Sequence, residues 1–141
     1  MNKICGVELK GSEAIIALLE KKDTGYAHLN IEPRKIKLGD DESSAHVKSF
    51  FETFQNLIRQ HEIDLIIIKK RAHKGQMAGG AISFKMESLI QLNGIAEVRF
   101  ETGQGIAAAE KKSPFELPES LNKYQEDAFK SAALYIRKHG I

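Results

Sequence analysis

Lys69, Lys70, Arg71 and Lys74 crowd the end of an apolar run, Ile63 to Ile68, and His73, Gly75, Gly79 and Gly80 make that end both cationic and glycine-rich. Such a group can neutralise phosphate oxygens, and the glycines let backbone N–H groups approach the same anion. There is no Walker-A spacing, so the stretch is not read as a nucleotide loop. The plain alternative is that charge past a buried strand keeps a sheet edge wet. Three acids also stand where chemistry could use them. Glu8 lies among Cys5, Val7 and Leu9, where a carboxylate costs free energy unless it is paired, for instance with a lysine, or near water. Asp127 follows Glu126 at the opening of the last helical segment, and there the helix dipole alone favours negative charge. Glu101 ends an apolar stretch just before "TGQG", and its simplest reading is a solvated strand end.

The elements that must position these residues follow from periodicity. "KICGVEL" (3–9) reads as a strand, "KGS" as a turn, "EAIIALLEKKD" as a second strand and "DTG" as another turn. "YAHLNIEPRKIKL" reads as a third extended segment, bent or at an edge because of Pro33. Tight turns between the three suggest an antiparallel meander. Val47, Phe50, Phe51, Phe54, Leu57 and Ile58 then mark one face of a helix, with Ser43 or Ser44 as N-cap. The acidic run Asp40 to Glu42 leads into it. "IDLIII" is a continuous apolar run, expected of a strand covered on both faces. Ile82, Met86, Leu89 and Ile90 give a second helix stopped by Asn93 and Gly94, and "AEVRFE" gives a fifth strand. A short alanine-rich helix (106–112), a loop with Pro114 and Pro118, and a final helix (122–138) complete the order. In α/β sheets the loop after a central strand is where ligands usually sit, which puts the cationic stretch in a place of interest.

Composition narrows the class. At 141 residues, with 42% hydrophobic and 28% charged residues, the chain is a single domain able to bury its own core. A formal charge of +2 is too small to indicate a nucleic-acid binder unaided, so any electrostatic case rests on local clustering. The one cysteine, Cys5, excludes an internal disulfide and reads as a buried, inert thiol. The five histidines are scattered without metal-ligand spacing. No apolar run reaches the roughly 18 residues of a membrane span, so no membrane partner is expected. The N-terminus lacks the apolar core of a signal peptide, and a cytoplasmic protein of bacterial type is the expectation.

Three antiparallel strands followed by helix-separated strands is the order of the ribonuclease H-like fold. "ICGVELKG" (Ile4 to Gly11) resembles the first strand of the RuvC-type Holliday-junction resolvases, and "QEDAFKSAALYI" (Gln125 to Ile136) is similar to their last helix. The chain is also similar to an uncharacterised bacterial domain-of-unknown-function family in that superfamily. The resemblance implies one domain over 1–141, with a five-stranded mixed sheet flanked by helices. It also implies divalent cations, Mg²⁺ or Mn²⁺, held by carboxylates of the first strand, the fourth strand and the last helix. Paired ions would stabilise the attacking and leaving oxygens of a phosphodiester displacement.

Carried onto this chain, the resemblance makes Glu8 the first-strand acid and Asp127 the last-helix acid, the two candidate metal ligands. Glu101 is a candidate replacement for a missing one. Tyr124 stands where a further acid is common. Lys69, or Lys70 in the next register, falls where the fourth-strand glutamate belongs, and a protonated lysine repels the ion it would have to bind. Any metal binding is therefore expected to be weak.

Two readings stay open. One is a nucleic-acid-associated protein with an incomplete carboxylate site (Glu8, Asp127, Glu101), a divergent Mg²⁺-dependent endonuclease. The other is a non-catalytic module that uses Lys69, Lys70, Arg71 and Lys74 to bind nucleic acid, a phosphorylated ligand or a protein. A homodimer is the assembly the resolvase resemblance implies.

Overall fold

Alternation with period two decides which residues of the first strand look which way. In the computed structural model, which describes residues 2–70 and 80–140, β1 (Lys3–Lys10) has Cys5, Val7 and Leu9 in one core and Ile4 in another. It sits inside a mixed sheet of order β3-β2-β1-β5-β6. β2 (Glu13–Lys21) runs antiparallel to β1, and β3 (Tyr26–Leu29) antiparallel to β2. β5 (Leu65–Lys70) and β6 (Glu97–Thr102) add in parallel on the other side. The antiparallel opening and the adjacency of first and central strands are as the sequence suggests.

Among the described residues the sheet has six strands rather than five. The third extended segment is interrupted around Pro33, and its second half becomes β4 (Lys35–Lys37), which also pairs with β2. A proline offers no N–H to a ladder, so one long strand cannot continue through it.

Helices cover both faces. α1 (Ser44–His61) is capped by Ser43, whose hydroxyl accepts from the His46 N–H, and it ends on Glu62 at φ 53°. It buries Phe50, Phe54, Leu57 and Ile58 against Val7, Leu9, Ile66 and Ile68, together with Met86 and Ile90 of α2 (Ala81–Gln91). Each such side chain contributes about 1.5–3 kcal/mol when fully removed from water. The opposite face carries α3 (Gly103–Lys112) and α4 (Glu126–His139), the latter entered through a 3₁₀ turn at Lys123–Gln125. Phe129, Ala132, Ala133 and Ile136 of α4 lie on Ile4, Ile15, Leu19, Leu65 and Ile67. By the alternation of β1, Gly6 and Glu8 belong to this α4 side.

Candidate functional site

β1 and β5 pair in parallel with Val7 opposite Ile68, so the next step of the same register brings Glu8 beside Lys69. β5 pairs with β6 with Lys69 opposite Glu101. Glu8, Lys69 and Glu101 thus form a row across three neighbouring strands on the face that α4 covers. The register also answers which lysine takes the fourth-strand position. Lys69 is half-buried under α4, whereas Lys70 is exposed. Arg71 and Lys74, the other two members of the basic cluster, lie outside the described residues.

Asp127 reaches this row because α4 starts almost in contact with β1. A Cβ on Gly6 would stand 1.8 Å from the Ala128 carbonyl oxygen, so only glycine admits the helix at this distance. Gln125 ties down the same end: its side-chain amide donates to the buried Ile16 carbonyl at 2.8 Å and accepts from the Asn122 N–H at 3.0 Å. Together with the Asn122 side chain this makes a capping box at the helix entry. Asp127 is thereby held in the first turn of α4, over the row of strand residues.

The Lys69 ammonium lies 2.9 Å from Asp127 Oδ2 and 3.8 Å from Glu8 Oε2. The two carboxyl groups face the same ammonium, and their titrations are driven apart. Burial and then the Asp127 charge push Glu8 above the usual carboxylate range, against the pull of Lys69. Asp127 is also raised by burial, but the hydrogen bond and charge of Lys69 outweigh that and hold it below its ordinary value. As pH rises, Asp127 therefore gives up its proton before Glu8 does.

Glu101 is buried on the same face but does not join this cluster. Its Oε1 accepts from Lys138 Nζ of α4 at 3.0 Å. Tyr124 stands aside with its ring under Lys35, 4.2 Å from ammonium to centroid. Sequence reading did not foresee Gly6, Gln125 or Lys138 as organisers of the site. A glycine inside an apolar strand and the Asn-x-x-Gln spacing before the last helix are the signals for the first two. Nothing local marks Lys138.

A divalent cation of the magnesium type wants several oxygen ligands at about 2.0–2.1 Å in near-octahedral array. Here an ammonium already stands against both carboxylates, and the third acid is taken by another lysine. Among the described residues no group of three or more His, Cys, Asp or Glu is placed to hold a metal ion. The donor set does not fit a two-metal centre.

Similar folds occur among solved structures. The chain superposes on Thermus thermophilus RuvC with a TM-score of 0.68 at 10% identity, covering 98% of this chain and 96% of that one. T. thermophilus RuvC in complex with a Holliday junction substrate gives 0.69 at 11% identity, covering 99% and 97%. The yeast mitochondrial Holliday junction resolvase Ydc2 gives 0.54 at 11% identity, covering 97% of this chain and 68% of that one. At such identities the likeness is one of fold, the RuvC-type version of the ribonuclease H-like architecture. No curated protein matches. Residues 1–135 match the family described as "Protein of unknown function (DUF3010)", and with nearly the whole chain matched, this protein belongs to that family.

Proposed function

We propose that the protein is a nucleic-acid-binding module of RuvC-like fold that contacts backbone phosphates at the carboxyl ends of β1 and β5 without two-metal cleavage. The observation that carries this reading is the Lys69 ammonium, 2.9 Å from Asp127 Oδ2, standing where a cleaving site would need an oxygen ligand. Exposed Lys10 and Lys70 end the two strands beside it, so the sheet edge offers cations of the kind that phosphate recognition needs. The ligand class is suggested by the neighbouring fold that holds a Holliday junction. In that reading the protein recognises nucleic acid by charge and shape, not by base edges.

The test is binding of four-way junction and duplex DNA across a salt series. Removing one phosphate contact, as in Lys10→Ala or Lys70→Ala, should lower the slope of log K against log[salt] by about 0.9 on duplex. Affinity should fall alike for all sequences. Absence of binding at low salt, or slopes identical to the parent in both variants, would sink the proposal.

A second reading, a slow hydrolase, is favoured by one observation: Asp127 Oδ2 and Glu8 Oε2 converge on one ammonium at 2.9 and 3.8 Å, and two neighbouring carboxyl groups are what acid–base work on a substrate needs. Junction cleavage in Mg²⁺ or Mn²⁺ that disappears in both Glu8→Gln and Asp127→Asn would establish that reading over the first.

A further inference from the structure

β6 is the last strand of the sheet. Among the described residues it pairs with β5 alone, so its outer edge carries backbone N–H and C=O groups with no strand beside them. We propose that this edge pairs antiparallel with β6 of a second copy of the chain, about a two-fold axis at Val98, joining the two sheets into one. The inference does not rest on nucleic-acid binding.

The charges select the register. Directly opposed residues of antiparallel strands share a face, so a two-fold axis between two copies of one strand falls where a residue meets itself. An axis at Glu97 or at Arg99 sets like charges against each other. An axis at Phe100 sets Arg99 against Glu101, which is buried and already held by Lys138. Axes nearer either end leave Arg99 with no acid opposite. An axis at Val98 sets Glu97 against the partner's Arg99 and Arg99 against the partner's Glu97, and both positions are exposed. The patch is then complementary to itself, as a two-fold interface requires.

On the other face, the same axis places Val98 against its own copy and Ala96 against the partner's Phe100. Ala96, Val98 and Phe100 are half-buried against the core that α1 and α2 cover, so the pairing carries that apolar layer across the edge. The turn before β6 adds to it. Leu92 is 68% exposed and Ile95 43%. The buried Asn93 fixes this turn: its amide donates to the Ile90 and Ala96 carbonyls, and its Oδ1 accepts from the Ile95 and Ala96 N–H groups at 2.6 and 2.7 Å. Two apolar side chains are thus presented at the entry of the open strand, where a second copy removes them from water.

Charges on an edge strand guard it against pairing when pairing would oppose or bury them. Here it does neither. In the single chain Arg99 folds back on the edge, pairing with Glu97 and donating to the Val98 carbonyl at 3.1 Å. That carbonyl is therefore within reach of donors from outside the sheet. In the pair, the guanidinium turns to the partner's Glu97 and leaves the carbonyl to a backbone N–H.

The experiment is sedimentation equilibrium of the full chain without nucleic acid, from about 1 μM to about 1 mM, a range that covers small interfaces. Wild type should rise from 15.7 kDa towards twice that mass. Glu97→Arg and Arg99→Glu, each alone, should weaken the dimer about tenfold or more, because each brings like charges opposite one another. An equimolar mixture of the two variants should associate again, since every opposed pair is then of opposite sign. Val98→Cys should form an intermolecular disulfide under mild oxidation, because opposed Cα atoms stand about 4.5–5.5 Å apart. Arg99→Cys should not, its two copies lying beyond the roughly 7 Å limit for a bridge.

A wild-type chain that stays monomeric throughout the range overturns the inference. So does a dimer that both charge reversals leave unchanged, or a mixture of the two variants that remains monomeric. DNA affinity is not read in these measurements, so failure of the nucleic-acid proposal and failure of this one are distinguishable.

Discussion

At the scale of single residues, the opposed titrations of Glu8 and Asp127 give opposite dependences of stability on pH. Glu8 is raised in the folded chain, so its favourable contribution is complete below the ordinary glutamate value of about 4.3 and is lost as pH rises through its folded value. Glu8→Gln should therefore unfold at a higher temperature than wild type at pH 7, and the gain should vanish as pH falls below about 4. Asp127 is lowered, so its contribution is present above about 3.9 and is lost as pH falls through its folded value. Asp127→Asn should cost about 1 kcal/mol at neutral pH, modest because the side chain is 43% exposed. That cost should shrink in acid. Thermal melts of both variants from pH 3 to 8 check the two signs, and parallel curves for wild type and both variants would contradict them. Which lysine faces these acids was not legible in "IIIKKR", because two adjacent lysines on a strand point to opposite faces. Only pairing with β1, a contact about sixty residues away in sequence, selects Lys69.

At the scale of elements, the approach of α4 to β1 is the feature most open to test. Gly6→Ala drives a methyl into the Ala128 carbonyl, and α4 must lift or tilt. The expected cost is about 1–3 kcal/mol, measurable by urea unfolding, with the Lys69–Asp127 pair separating at the same time. Gln125→Ala leaves the buried Ile16 carbonyl without its donor and dismantles the capping box, for about 1–3 kcal/mol. A variant as stable as wild type at either position would mean that the helix entry is not fixed by these contacts. α1 was legible because Phe50, Phe54, Leu57 and Ile58 repeat with helical period. α4 was legible from Phe129, Ala132, Ala133 and Ile136 for the same reason. The split into β3 and β4 was not, since a bend at Pro33 and a break at Pro33 read alike until β2 is seen to pair with both halves. Glu101 was placed on the right strand, but its partner comes from the far end of α4, which no local pattern announces.

At the scale of the whole molecule, the first strand and the last helix meet, so the cluster exists only when the entire chain is in place. A chain cut before Asn122 loses the Phe129, Ala132, Ala133 and Ile136 surface that covers Ile4, Leu65 and Ile67. Such a chain should show no cooperative melt by circular dichroism. β1 also carries the molecule's one thiol. Cys5 is fully buried, adjoins Gly6, and has its pKa pushed up to about 12 by desolvation. A thiol so placed reacts with a disulfide reagent only in the moments when β1 comes free, and then at the rate of an ordinary cysteine. Labelling kinetics in native buffer therefore count the openings of the strand that bears Glu8. Each 1.4 kcal/mol of lost stability multiplies the opened population tenfold, so Gly6→Ala, at about 1–3 kcal/mol, should quicken labelling by about five- to a hundredfold. The chain carries a chemical clock for its own site, set by one sulfur atom and needing no added probe in the protein.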